Sequence, residues 1–266
     1  MFRKLVSCAA LALLVAVPAG AFGQQPAPRQ ARVVRVAAAS DLQFALSEVV
    51  KAFETRNRDI RVAVAYGSSG TYHAQILQRA PFDMFLSADM SYPRDLIAKG
   101  LASQEGAFLY AIGQIVLWVP NRSPLDVGRL GMAALTDGRI RHVAIANPLH
   151  APYGRAAEAA LRSAGLLEQV RTKLVFGENV AQAAQFVESG AADIGIIARS
   201  LALAPPMRAK GRYWEIPGDA HPLLEQGGVV LRAARDPGAA NLLRRFLESA
   251  EARTTLTTFG FVLPGN

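Results

Sequence analysis

From Val33 onward the chain alternates strand-like and helix-like segments, and that rhythm limits the fold more than any other feature. Val33-Val34-Arg35-Val36-Ala37-Ala38 reads as a strand, and Leu42 to Arg56 carries apolar residues at Leu42, Ala45, Leu46, Val49, Val50 and Phe53, the spacing of an amphipathic helix. Arg61 to Ala65 is a second strand, Asp83 to Ala88 a short buried one, and Ser91 to Lys99 a helix stopped by Gly100. Strands follow at 114–119, 143–146, 174–176, 194–197 and 229–231. A short helix fits Leu130 to Thr136, and longer ones end at Ala164 and at Ser189, before Gly165 and Gly190; another closes the chain from Pro237 to Ser249. Strands alternating with helices predict an α/β fold with largely parallel sheets. Ligand sites in such sheets lie beyond the carboxyl ends of the strands.

The turns after the first two strands are rich in hydroxyls. Ser40-Asp41-Leu42-Gln43 fits a capping box, with Ser40 as N-cap and Gln43 reaching back. Tyr66-Gly67-Ser68-Ser69-Gly70-Thr71 joins the second strand to a helix expected from Tyr72 to Arg79. Glycines let a backbone approach a ligand closely, and the first N–H groups of a helix have no partners within it, so such a turn binds anions readily. A serine-capped turn without a ligand is the plain alternative. Ser40, Ser69, Tyr153 and Val180 all stand at or near helix starts that follow strands. Were they to converge, they would offer hydroxyls, N–H donors and positive dipole ends with no cation among them.

The first residues set the compartment. Arg3 and Lys4 precede an apolar run from Leu5 to Val17 and the small residues Ala19-Gly20-Ala21-Phe22-Gly23. This is a secretory signal peptide over 1–23, cleaved after Gly23 or after Ala21, because the run is short of the roughly 20 residues a membrane span needs. Residues 24–31 form a linker. Cys8, the only cysteine, falls inside the signal segment. The exported chain of about 240 residues therefore has no disulfide and no thiolate metal site, and relies on its core alone. It is a soluble product with no membrane insertion after cleavage, and two lobes suit its length better than one. Of 29 Lys+Arg and 21 Asp+Glu, removal of Arg3 and Lys4 leaves 27 against 21. The basic residues are scattered, with no run and no aromatic interleaving, which argues against nucleic acid.

Catalytic signatures are poor. Gly67-Ser68-Ser69-Gly70-Thr71 has threonine where a serine-hydrolase elbow needs its last glycine. His73, His142, His150 and His221 lack metal-site spacing. No Gly-x-Gly or Gly-Lys occurs, so dinucleotide and Walker-type loops are absent. Asp83 and Asp89 flank one strand as a possible acid–base pair, with strand-end capping as the simpler role.

Together the motifs resemble a known family. Ala37-Ala38-Ala39-Ser40-Asp41-Leu42, Tyr66 to Thr71, Phe82 to Asp89, Asn147-Pro148 through Pro152-Tyr153-Gly154, Glu178-Asn179-Val180 with Gly190 and Asp193 to Ile196, and Phe259-Gly260-Phe261 follow in the order of the periplasmic molybdate-binding proteins, the receptors of molybdate ABC importers. The resemblance spans about Val33 to Leu263. It implies a type II periplasmic-binding-protein fold, lobe one being 32–112 plus 223–266 and lobe two 113–222, with the ligand cleft between them. It implies a monomeric, periplasmic, non-enzymatic protein without cofactor that binds molybdate or tungstate and hands it to a membrane permease. Ser40 and Ser69 would donate hydroxyl and backbone N–H, and Tyr153 and Val180 backbone N–H. Some members add a tyrosine hydroxyl where this chain has Ala198, beside Arg199. Molybdate carries no proton near neutral pH and only accepts hydrogen bonds, so its site should hold donors and no carboxylate. Another oxyanion, or a small carboxylate with Arg155 or Arg199 as its partner, is the alternative ligand, and a secreted serine hydrolase the remote one.

Overall fold

The computed structural model describes residues 32–102 and 107–265; the signal segment with Cys8 and the linker lie outside the described residues. β1 (Arg32–Ala39) passes through a 3-10 turn (Ser40–Leu42) into α1 (Gln43–Arg56), β2 (Ile60–Gly67) into α2 (Ser69–Leu77), and β3 (Met84–Ser87) into α3 (Ser91–Ala98). After β4 (Phe108–Gly113) come β5 (Ile115–Pro120), α4 (Val127–Leu130) with a 3-10 stretch (Gly131–Thr136), β6 (Val143–Ala146) and α5 (Pro152–Ser163). Then follow α6 (Leu167–Val170), β7 (Leu174–Gly177), α7 (Val180–Ser189), β8 (Ile194–Ala198), α8 (Arg199–Leu203), α9 (Pro205–Arg208) and β9 (Gly211–Glu215). β10 (Leu224–Val230), α10 (Pro237–Leu247) and α11 (Ala250–Thr258) complete the chain.

The strands form two five-stranded sheets, β2-β1-β3-β10-β4 and β7-β6-β8-β5-β9, each flanked by helices, giving two lobes. In each sheet one strand, β10 or β5, runs against its two neighbours and the other four share a direction, which is the largely parallel character expected. The reversed strand is in each case the one that enters after the chain has crossed from the other lobe. The crossings lie at Gln114 and at 216–223.

Register decides where the turns land. β1 and β2 pair from Arg32↔Ile60 to Ala39↔Gly67, so both end flush and the turns at Ser40 and Ser68 leave the sheet at one level. β6 and β7 pair from Val143↔Leu174 to Ala146↔Gly177, which does the same for the turns that follow them. Around these strands the cores are built from fully buried Val, Ile, Leu and Ala, with Phe53 and Phe85 in lobe one and Trp118 in lobe two. The lobe-two core continues across to Ala39 and Ala88 of lobe one, at the ends of β1 and β3.

Several local expectations change. The capping box is not made: the hydroxyl of Ser40 makes no cap bond, and the 3-10 turn starts one residue after Ala39. Ser40 Oγ instead accepts the N–H of Ala181 from the other lobe at 3.3 Å. The second helix begins at Ser69, not Tyr72, and the closing helix breaks after Leu247 so that Ser249 can cap α11. β4 and β9, which the alternation did not mark, are edge strands. Gly154 is required by packing, because a Cβ there would stand 2.3 Å from the carbonyl oxygen of Ala146. Gly154→Ala should therefore push the start of α5 off β6, at a cost of about 1–3 kcal/mol typical of overpacking; a thermal melt of the ligand-free variant matching wild type would refute this.

Candidate functional site

A small, tightly closed space lies between the lobes at the carboxyl ends of the strands, and Ser40, Ser69, Tyr153 and Val180 all line it. Four chain stretches far apart in sequence thus meet at one point. Each brings a donor that its own secondary structure leaves free. Ser69 and Val180 are the first residues of α2 and α7, and Tyr153 is the second of α5, where Pro152 occupies the position that needs no N–H. First-turn N–H groups have no acceptor in the preceding turn. In α5 the earliest to find one are Gly154 and Arg155, which donate to Ala151 O at 3.0 and 3.1 Å. In α7, Asn179 Oδ1 accepts from Ala181 and Gln182 at 3.0 and 3.1 Å and leaves the N–H of Val180.

The two serine hydroxyls are oriented by bonds they accept. Ser69 Oγ takes the N–H of Ala88 at 3.0 Å in a buried setting, and Ser40 Oγ takes that of Ala181. A hydroxyl has one donor and two acceptor positions, so each retains its O–H for a ligand. Among the described residues no lysine or arginine lines the space.

Closure of the lobes rests on a set of polar contacts. Ser68 Oγ and the N–H of Gly70 both donate to His150 O, at 2.5 and 2.9 Å. The glycines of the Tyr66–Thr71 turn thus make room for protein. A Cβ on Gly70 would sit 2.5 Å from that same carbonyl, and one on Gly67 would sit 2.8 Å from the ring of Tyr72. At the rim Arg155 Nη2 donates to Asp89 Oδ2 at 2.6 Å and Nη1 to the hydroxyl of Tyr92 at 3.2 Å. Arg199 lies at the crossings, bonded to Gln114 Oε1 at 2.7 Å and Glu215 Oε1 at 2.9 Å. Both arginines proposed as carboxylate partners are therefore committed elsewhere. Ala198 is fully buried and lies outside the residues that line the space.

One wall departs from the expected donor set. Asp41 lines the space and is 1% exposed. Its Oδ2 accepts the hydroxyl of Tyr153 at 2.9 Å, its main-chain oxygen accepts Ser200 Oγ at 2.7 Å, and its Oδ1 has no partner among the described residues. Burial pushes the carboxyl up to about 7, against the Tyr153 hydroxyl and the N–H groups of Asp41 and Leu42, which favour its ionised form. The Tyr153 phenol, which Gln226 also contacts at 3.3 Å, is raised well above its ordinary value by burial and by the charge of Asp41. The motif that carried Ser40 held this carboxylate in plain view, but as part of a helix start.

The remaining candidates are structural. Asp83 accepts the N–H groups of Arg35 and Arg235, both at 2.7 Å, and Asp89 caps Ser91 and pairs Arg155. His73 pairs Asp95 and His150 meets Glu178, and no group of three metal-ligating residues occurs among the described residues. Nor is any helix among the described residues long and apolar enough to cross a membrane.

Two lobes closing on a small space lined by free donors define a solute-binding protein. The chain belongs to the family of bacterial extracellular solute-binding proteins, whose profile matches residues 34–262. It is 34% identical to the molybdate-binding protein ModA of Azotobacter vinelandii over 94% of this chain and 97% of that one. It is also 34% identical to the molybdate-binding protein ModA of Rhodobacter capsulatus, over 88% and 90%. The solved structure of the Azotobacter vinelandii periplasmic molybdate-binding protein superposes with a TM-score of 0.81 at 30% identity, over 87% of this chain and 99% of that one.

Asp41 gives a stability test. Its carboxyl titrates at about 7 in the folded chain and near 4 when unfolded. Between those values the folded state holds the proton more tightly, so this group's contribution is full below about pH 4 and lost as pH rises through about 7. Ligand-free Asp41→Asn, which keeps an acceptor for Tyr153, should lack that fall. Its Tm relative to wild type is expected to rise from pH 5 to pH 8; a constant difference across that range would refute the assignment.

Proposed function

We propose that the protein is a periplasmic receptor that captures molybdate, and tungstate as its near analogue, between its lobes and delivers it to a membrane ABC permease. The observation that carries this reading is the convergence of Ser40, Ser69, Tyr153 and Val180 on one space with their donors free and no cation among them. Ser40 and Ser69 give hydroxyl and backbone N–H, and Tyr153 and Val180 give backbone N–H. The identity with two molybdate-binding relatives along nearly the whole chain supports the choice of ion. The signal sequence of 1–23 supports export, after which the chain works as a soluble monomer and a binder, without cofactor or catalysis.

The chemistry follows from the donor set. A proton-free dianion accepts at every oxygen, and charge-assisted bonds contribute about 1.5–3 kcal/mol each, so some six of them offset the desolvation of the ion. Phosphate brings a proton that a donor-only wall cannot accept. Sulfate brings none but is smaller, and a ring of backbone donors held by helix starts cannot shrink to meet it. Asp41 joins this scheme in its neutral form: a dianion beside it favours the protonated acid. Arg155 and Arg199, tied to Asp89 and to the crossings, leave no cation for a small carboxylate.

Molybdate or tungstate at a thousandfold excess over Kd should add about 4 kcal/mol of stability, read as a large rise in Tm. A rise with sulfate or phosphate alone would overturn the choice of ion. Ser69→Ala removes one ligand bond and the acceptor of the Ala88 N–H, and should weaken binding by about 10–100-fold in titration calorimetry; unchanged affinity would remove Ser69 from the site. Wild-type affinity is expected to hold below about pH 7 and to weaken above it as Asp41 ionises, whereas Asp41→Asn should show a flat profile.

A further inference from the structure

Beside the small space, and sharing Ser40 and Asn179 with it, runs a larger open groove of about 560 Å³ that a lone tetraoxyanion would leave unused. Its walls come from both lobes, Gln43 and Phe44 of α1 with Tyr66 of β2 on one side, Gln182 and Gln185 of α7 with Met207 of α9 on the other. Apolar faces, a few carboxamides that can donate and accept at once, and the Glu188 carboxylate, which Lys210 pairs, make a mixture that suits a small polar organic group. The side-chain amides of Gln43 and Gln185 make no hydrogen bond among the described residues, so both are available.

Where the linings of the two spaces meet at Ser40, the N–H of Ala181 donates to Ser40 Oγ. At 3.3 Å this contact is long for an N–H···O bond. The same N–H also donates to Asn179 Oδ1 at 3.0 Å. Parting Ala181 from Ser40 therefore orphans neither group, since the N–H keeps Asn179 and the hydroxyl stays with the anion. Breaking a buried hydrogen bond is costly when a partner is left unsatisfied, and here none is. This is the point at which a substituent on the anion would leave the small space for the groove.

We propose that the groove is a second subsite, and that the protein also binds tetrahedral oxyanions carrying one small hydroxyl-bearing organic substituent, head in the small space and substituent against Gln43 and Gln185. A phosphate monoester is the simplest stable example. Above its second pKa of about 6 the head of such an ester is a proton-free dianion, which meets the same donors as molybdate. This rests on the reading of the small space as an oxyanion site.

The test is titration calorimetry of the full exported chain with sn-glycerol 3-phosphate, inorganic phosphate and molybdate. The ester should bind at least tenfold more tightly than inorganic phosphate and be displaced by molybdate. Gln43→Ala combined with Gln185→Ala, two partly or fully exposed helix positions, should abolish the ester's advantage and leave the molybdate affinity unchanged. Tight molybdate binding with no advantage for the ester, or an advantage that survives the double substitution, overturns the subsite alone. Ester binding that saturating molybdate does not displace overturns it too, by placing the ester elsewhere. Absence of binding by all three anions overturns the oxyanion site and the subsite together.

Discussion

A buried backbone N–H must find an acceptor, and the first turn of a helix supplies none. Much of this molecule is arranged around that constraint. Three helices, α2, α5 and α7, and one 3-10 turn all begin at the same place, the level at which flush strand pairs release the chain. Asn179 satisfies the second and third N–H groups of α7, Ala151 those of the third and fourth residues of α5, and His150 O that of Gly70 in α2. What each helix leaves over points to the shared space. An anion there completes the hydrogen bonding of three helix starts at once, which is why neutral groups suffice and no cation is needed.

Closure belongs to the same arrangement because no lobe holds the complete set of donors. Asp41 ties the lobes in two ways, through Tyr153 at its carboxylate and Ser200 at its main-chain oxygen, while Arg155 clamps the exposed rim and Arg199 braces the crossings. The rim pair is half-exposed and contributes about 0–1 kcal/mol, as such pairs do. The inner contacts are buried and count for more. Two rigid sheets joined at two narrow crossings, with polar contacts between them, form a hinge whose closed state a ligand selects.

How much of this was legible in the sequence varies with how local the cause is. α7 could be read to the residue, because Asn179 caps it and Gly190, at φ +89°, ends it, and both signals lie within the helix's own turn. β6 stood out as four apolar residues in a row, buried on both faces. β4 and β9 did not, since edge strands owe their state to neighbours distant in sequence. Ser40 shows the limit most plainly. Its neighbours spell a capping box, yet a helix start of the other lobe took its hydroxyl, so a local rule lost to a contact 141 residues away. The four site positions were visible one at a time as helix starts. Their convergence came from the topology, and Asp41 was hidden because burial, not sequence, makes a carboxyl there neutral.

The fixed size of the space follows from how its donors are held. Backbone N–H groups at helix starts cannot move without moving the helix, and the Ser69 hydroxyl is pinned by the Ala88 N–H from the end of β3. Ser40 is the exception, because its anchor is the long contact to Ala181, whose N–H has Asn179 in reserve. The donor ring is therefore stiff at the starts of α2, α5 and α7 and yields at Ser40, where the 3-10 turn meets α7 next to the groove. A bare tetraoxyanion of the right radius meets the ring as it stands, and discrimination by size comes from the stiff sides. A ligand with a substituent meets the one side that gives way without leaving a polar group unpaired. Selectivity for the ion and tolerance of an attached group thus have separate physical origins in one site.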